Sequence, residues 1–567
     1  MRRNKNRWPL VVAIVSASTL FSFQNCSNVN FGAVSSQLNQ SGTGTLPIVT
    51  QPPDTPDEPA HFPIVDPPAP LCTKISQNIQ PTLNWDWYSQ LGANDYHTFS
   101  QVMAAPVVGD LNGDGHPAIV FVSWSLSEND MYFHDNQISY YARNGVLRVV
   151  DGKTGATKFS VGSQALAPFA STTPLLVDLD GDGKLEIVYM HYLEQQMIAL
   201  NSDGSLRWIW NLPTALTASC MQGLSASDMD ENGHAEVIVG NWIVEESAAK
   251  QPTLKMTLNS SFVGCTAFAT VLNPATPHFS VVAPDAVYDH TGAKSFSLGP
   301  EYGHAAVGKV RGDVAGNQIV KTAYTSSGPK LQIYNGNNGT LLSNVDLASL
   351  SQYKCPDGTI GGGQVSIGDF MGNGSFQIAL ASGQYLMLFD GNGNLLTSSR
   401  TQDCSSEQTG VTSFDFDGDG KPEILYGDEE YLRIFHVVNG QLTVVAKLPN
   451  PSGTLLEYPV VADIDGDGSS KLIVVSNNYA VSGFYKDPGE ANDGVAAATI
   501  TGVRTFKSGD GLPWMPSRPT WNQFHYNASL MNDHGRVYDP AISSQSWLGK
   551  TFKLNSQITL SQPICQH

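Results

Sequence analysis

The stretch TPLLVDLDGDGKLEIVYM, residues 173–190, decides how the chain is read. A short apolar run ends at Asp178, a glycine-rich acidic loop follows, and a second apolar run rich in β-branched and aromatic residues begins at Glu186. Two such runs separated by a tight loop make a pair of antiparallel strands. Within the loop, Asp178, Asp180, Asp182 and Glu186 supply carboxylates from alternating positions, Gly183 permits the turn, and Lys184 offers its backbone carbonyl. Hard oxygen donors at that spacing are what Ca2+ coordination requires. An EF-hand begins in the same way but needs flanking helices and a Glu at the twelfth position, which here is Tyr189 inside a strand, so that motif is excluded.

The same unit recurs along the chain. Complete acidic sets stand at Asp228, Asp230, Asn232 and Glu236, and at Asp415, Asp417, Asp419 and Glu423. Two further copies, Asp110, Asn112, Asp114 and Asp463, Asp465, Asp467, carry Ala118 or Lys471 at the ninth position and are expected to bind more weakly. Two are eroded: Lys309 and Arg311 replace the first acids beside Asp313, where an internal cation can stand in for a metal, and Met371 and Gln377 interrupt the copy that starts at Asp369. Seven units emerge, with a long interval of 81 residues between Asp228 and Lys309 that reads as an insertion around Glu245 to Asn273. Hairpin turns such as Asp151-Gly152 and Asn335-Gly336 supply two more strands per unit. The expectation is an all-β, seven-bladed β-propeller of four-stranded antiparallel blades, spanning residues 81–511. The segment at Leu83 resembles the fourth strand at Leu206, so the amino-terminal strand is expected to complete the last blade and leave no open edge.

The ends of the chain bear on location. Residues 1–25 carry Arg2, Arg3, Lys5 and Arg7 followed by an apolar run to Phe23, the organisation of an export signal. Cys26 follows and looks like the acceptor of a bacterial lipoprotein signal, which would place the protein in the cell envelope on a lipid anchor; a simple secretory signal with an incidental Cys is the alternative. Residues 26–80 are rich in Ser, Gln and then Pro, a tether. Removing the four basic residues of the signal leaves 27 basic against 51 acidic side chains, a balance that repels phosphate backbones and argues against nucleic acid as a partner. The other six cysteines suggest disulfides, with sequence neighbours pairing as Cys220–Cys265 and Cys355–Cys404 and leaving Cys72 with Cys565; buried free thiols are the alternative.

These loops resemble the FG-GAP repeats, also called VCBS repeats, of integrin α subunits and of many secreted bacterial proteins, over Leu83 to about Lys486. The resemblance implies a propeller with about five calcium sites at the residues named above and a partner-binding face opposite the cation loops. The tail, residues 512–567, contains LPWMPSRPTWNQFHYNASLMNDHG, similar to a segment that follows such repeats in bacterial members. Its Trp514, Trp521, His525 and Tyr526 either seal the propeller by packing or form a sugar-stacking surface. No nucleophile or zinc motif accompanies the scattered His97, His304 and His525. The expected function is therefore a non-enzymatic adhesion or scaffold module for a protein or glycan, with a polysaccharide lyase on a calcium-loop propeller as the rival class.

Overall fold

The computed structural model describes residues 73–126, 144–193, 195–214, 223–263, 265–404, 409–478, 500–526, 529–541, 552–555 and 564. The signal, Cys26 and most of the tether lie outside them, as do Cys72, Cys220 and Cys565.

Strands β2 (Val107–Gly109), β3 (Ala118–Ser123), β4 (Val146–Asp151) and β5 (Thr157–Val161) pair in order to form blade 1. Blade 2 is β6 (Leu175–Val177), β7 (Glu186–Met190), β8 (Gln196–Leu200) and β9 (Leu206–Asn211). Blade 3 is β10 (Ser225–Ser227), β11 (Glu236–Val239), β12 (Trp242–Glu246) and β13 (Pro252–Thr257), and blade 4 is β14 (Phe268–Val271), β15 (Phe279–Val282), β16 (Ala286–Asp289) and β17 (Lys294–Ser297). Blade 5 follows with β18 (Gly303–Gly308), β19 (Gln318–Thr325), β20 (Gly328–Asn335) and β21 (Leu341–Asp346), and blade 6 with β22 (Ser366–Gly368), β23 (Gln377–Ser382), β24 (Tyr385–Phe389) and β25 (Leu395–Arg400). Blade 7 contains β26 (Thr412–Phe414), β27 (Glu423–Gly427), β28 (Tyr431–Val438) and β29 (Gln441–Pro449). In blade 8, β30 (Val460–Ala462), β31 (Lys471–Ser476) and β32 (Gly502–Ser508) are joined by β1 (Pro81–Asp86), so chain start and chain end share one sheet.

The ring therefore has eight blades, which corrects the expected seven. Blade 4 lies inside the interval that read as an insertion. Its first loop, Leu272 to His278, holds no acidic triplet; instead the Asn273 side chain accepts from the Ala275 amide (3.1 Å) and donates to Thr276 Oγ1 (2.8 Å), so an Asn-Pro turn does the work of the acidic loop. The turn Asp289-His290-Thr291-Gly292 between β16 and β17 was the legible sign of this blade, since it parallels Asp151-Gly152-Lys153-Thr154-Gly155.

Burial explains the radial order. The first strands of the blades are wholly buried, and those of blades 1 to 4 and of blades 6 and 7 touch their neighbours, whereas outer strands such as β13 are half exposed. Apolar side chains from facing sheets then fill the wedges between blades, as Val107, Ile187 and Tyr189 do between blades 1 and 2. The tail fills the axis. The Trp521 amide and carbonyl pair with Val108 of blade 1, the Asn522 carbonyl accepts from Leu176 of blade 2, and the Gln523 side chain accepts from Ala226 of blade 3. Phe552 pairs with Ile367 of blade 6, Lys553 accepts from Ser413 of blade 7, and Asn555 donates to Val461 of blade 8. Trp514, Trp521, His525 and Tyr526 are at most 1% exposed, so they pack within the ring and present no stacking surface. Cys355 and Cys404 form a disulfide; Cys265 is also disulfide-bonded, to a partner outside the described residues.

Candidate metal centre

The first acid of each loop is held by its own backbone. The Asp178 carboxylate accepts from the amides of Gly181 (2.8 Å) and Gly183 (3.1 Å), Asp415 from Gly418 and Gly420, Asp463 from Gly466 and Gly468, and Asp110 from Gly113 and Gly115. Asp228 accepts from Asn232 and Gly233, and even the eroded copy keeps this, with Asp369 accepting from Asn373 and Gly374. The fourth loop position needs a left-handed backbone, which is Gly181 (φ 76°) in blade 2 and a non-glycine, Glu231 (φ 59°), in blade 3.

The ninth residue begins the second strand and turns its carboxylate back into the loop. Glu186 Oε2 accepts from the Leu179 amide (2.9 Å), Glu236 Oε2 from Met229 (2.6 Å) and Glu423 Oε2 from Phe416 (2.9 Å). Three acids thus converge in blade 2 (Asp178, Asp180, Glu186), blade 3 (Asp228, Asp230, Glu236) and blade 7 (Asp415, Asp417, Glu423), and three in blade 8 (Asp463, Asp465, Asp467), with one oxygen from each within 4.8 Å of the others. These four clusters could hold a metal ion. Asp182 and Asp419 are not among the clustered acids, and Asp182, Asn232 and Asp419 receive the amides of Lys184, His234 and Lys421. In blade 1, Asn112 donates to Asp114 (2.9 Å), and Ala118 supplies no ninth ligand.

Burial raises the ninth-position carboxyls: Glu186 to about 7, Glu236 to about 9 and Glu423 to about 8. The charged groups that face these acids differ from blade to blade. In blade 2 the Arg207 guanidinium lies 2.7 Å from both Glu186 and Asp180; burial would push Asp180 up, but hydrogen bonds from Lys250 and Arg207 hold it at about 2. In blade 7 His436 Nδ1 stands 2.6 Å from Glu423 Oε1, and that contact raises the imidazole pKa. In blade 8 the Lys471 ammonium reaches Asp465 and Asp467. In blade 3 Lys255 pairs with Asp230 and Glu245, while Glu236 faces the Asp230 carboxyl and its buried Oε1 is reached by no donor. An oxygen-only donor set around a buried carboxylate oxygen that no donor reaches could hold a hard metal ion. In the eroded blade 5 copy, Lys309 donates to the carbonyls of Val314 and Gly316, and Arg311 pairs with Asp313, as expected of internal cations.

A family model described as FG-GAP-like repeat matches residues 178–239 and 415–474, which contain all four clusters. The chain carries FG-GAP-like repeats. No curated protein matches this chain in sequence. Among solved structures, the V. cholerae biofilm matrix protein Bap1 is 19% identical, with a TM-score of 0.64 over 85% of this chain and 100% of that one. A Bacillus licheniformis rhamnogalacturonan lyase is 15% identical with a TM-score of 0.51, covering 81% of this chain and 77% of that one. The rhamnogalacturonan lyase YesW is 14% identical, also at 0.51, covering 82% and 79%. At these identities the likeness is one of fold.

Arg207 and His436 are invisible to loop-motif reading, because they lie on later strands. Arg207 is the residue skipped where β9 pairs with β8, so a bulge aims it into the loop of its own blade.

Proposed function

We propose that this protein is an exported, calcium-stabilised binding module of the cell envelope, held by a lipid on Cys26, that engages a protein or glycan in an adhesive or scaffolding role. The observation that carries this reading is the filled axis. A propeller's central channel is the concave place where small ligands are enclosed. Here Trp521, Phe524, His525, Tyr526 and Lys553 occupy it. Recognition then falls to the broad loop faces of a rigid ring, a format suited to extended partners. The likeness to a biofilm matrix protein over that protein's whole solved chain points the same way. Bound calcium would neutralise buried carboxylates such as Glu236, and the residues holding it would be Asp228, Asp230 and Glu236 first.

The second reading, a polysaccharide lyase, is favoured by the two lyase structures that share the fold. One experiment separates them: the full mature protein is incubated with rhamnogalacturonan, with and without EDTA, while polymer binding is followed by co-sedimentation and unsaturated product by ultraviolet absorbance. Calcium-dependent binding without product supports the binding module, whereas product formation overturns it in favour of the lyase. The same preparation should lose melting temperature in EDTA, and an unchanged melting temperature would remove calcium from the proposal.

A further inference from the structure

A bulge recurs on the outermost strand of every blade. The residue skipped in the pairing is Lys158, Arg207, Lys255, Ser295, Leu342, Leu396 and Val445 in blades 1 to 7, and Asn84 in blade 8. In blades 1 to 3 it is basic. Lys158 stands 3.7 Å from Asp151, next to its loop, and Lys255 reaches Asp230.

Arg207 goes further. Its Nε donates to Glu246 Oε2 (2.6 Å), Nη1 to Glu186 Oε1 (2.7 Å) and Asn201 Oδ1 (3.0 Å), and Nη2 to Asp180 Oδ2 (2.7 Å) and Glu246 Oε1 (2.6 Å). All five guanidinium donors are used, and the side chain is 3% exposed. Glu246 comes from blade 3 and is held by Trp208 Nε1 (2.7 Å), so the cation also joins two blades. Lys471 repeats this chemistry with three donors: its ammonium, 4% exposed, meets Asp465 Oδ1 (2.7 Å), Asp467 Oδ1 (2.9 Å) and the Ser469 carbonyl (3.1 Å). A divalent ion entering either cluster would have to expel a buried, fully bonded cation or sit beside it against like-charge repulsion.

Blade 3 is different. Lys255 is 30% exposed and pairs with Asp230 and Glu245, leaving Glu236 Oε1 buried in a cluster with Asp230 and reached by neither a donor nor a cation.

We infer that blades 2 and 8 carry built-in cations, the Arg207 guanidinium and the Lys471 ammonium, where an FG-GAP loop would take a metal, and that blade 3 takes a divalent ion at Asp228, Asp230 and Glu236. Blade 2, whose loop is one of the complete acidic sets in the sequence, is thus a metal-free clamp between blades. This deepens the calcium reading given above and rests on it.

The test is calorimetric titration of the metal-free, full mature protein with CaCl2, with melting followed by circular dichroism to confirm that each variant folds. Asp180→Asn and Asp465→Asn are expected to leave the stoichiometry unchanged, and Glu236→Gln to lower it by one. Lys471→Glu, which completes an acidic set with Asp463, Asp465 and Asp467, should raise it by one. Lys471→Gln and Arg207→Gln open the same clusters without reversing charge and should each also add one ion. A lower stoichiometry in Asp180→Asn or Asp465→Asn, or no gain in folded Lys471 and Arg207 variants, overturns the internal cations. Wild-type protein that takes no calcium while Lys471→Glu takes one would leave the internal cations standing and refute the calcium reading and the blade 3 site.

Discussion

Trp521→Ala tests whether the tail is a structural plug. The Trp521 side chain is fully buried, its ring stacks on Tyr526 at 4.4 Å and meets Tyr458 at 6.1 Å, and its backbone exchanges two 2.9 Å hydrogen bonds with Val108 of blade 1. An aromatic of this size buries roughly 150–250 Å². At about 25 cal/mol per Å², that corresponds to roughly 4–6 kcal/mol, and partial collapse of the cavity brings the expected loss to about 3–5 kcal/mol. Trp521→Phe keeps an aromatic ring in place and should lose less than half as much. The assay is equilibrium urea unfolding by far-ultraviolet circular dichroism, with hydrogen exchange at the Val108 and Leu176 amides, which donate to Trp521 and Asn522. Both amides should exchange faster in the Ala variant. A variant within about 0.5 kcal/mol of wild type, as for an exposed side chain, with unchanged exchange would refute the plug.

The disulfide Cys355–Cys404 closes a separation of 49 residues, which in the chain-entropy treatment stabilises by up to about 4 kcal/mol; Cys355→Ser with Cys404→Ser should lower the urea midpoint accordingly, and an unchanged midpoint would contradict it. Lys321, buried in β19 with its ammonium on the carbonyls of Leu298 and Glu301, is pulled by burial from 10.5 to about 8. The unfolded chain then binds more protons between those values, so wild-type stability should rise through that window by up to about 3 kcal/mol relative to Lys321→Met, and parallel pH profiles of the two proteins would refute it. Cys26→Ser should move the protein from the membrane fraction to the soluble exported fraction, and no shift would dispose of the lipid anchor.

The period of the acidic loops made the blade architecture legible, because alternating apolar strands joined by Asp-Gly turns have few other ways to bury their faces. The pairing of β1 into the last blade was legible too, from the likeness of the segments at Leu83 and Leu206. The blade count was not. Blade 4 keeps the strands but replaces the acidic loop with an Asn-Pro turn, and a count of motifs passes over a sheet whose hairpin is closed by different chemistry. Sequence also placed the carboxylates, since their spacing is local: Asp178, Asp180 and Glu186 meet because one loop brings them together. What balances their charge is non-local. Arg207 reaches its loop only through a bulge in the outer strand, and Glu246 joins it only because the next blade packs alongside. Electrostatic compensation depends on which side chains converge in three dimensions, and the sequence by itself lists the charges without saying which of them meet.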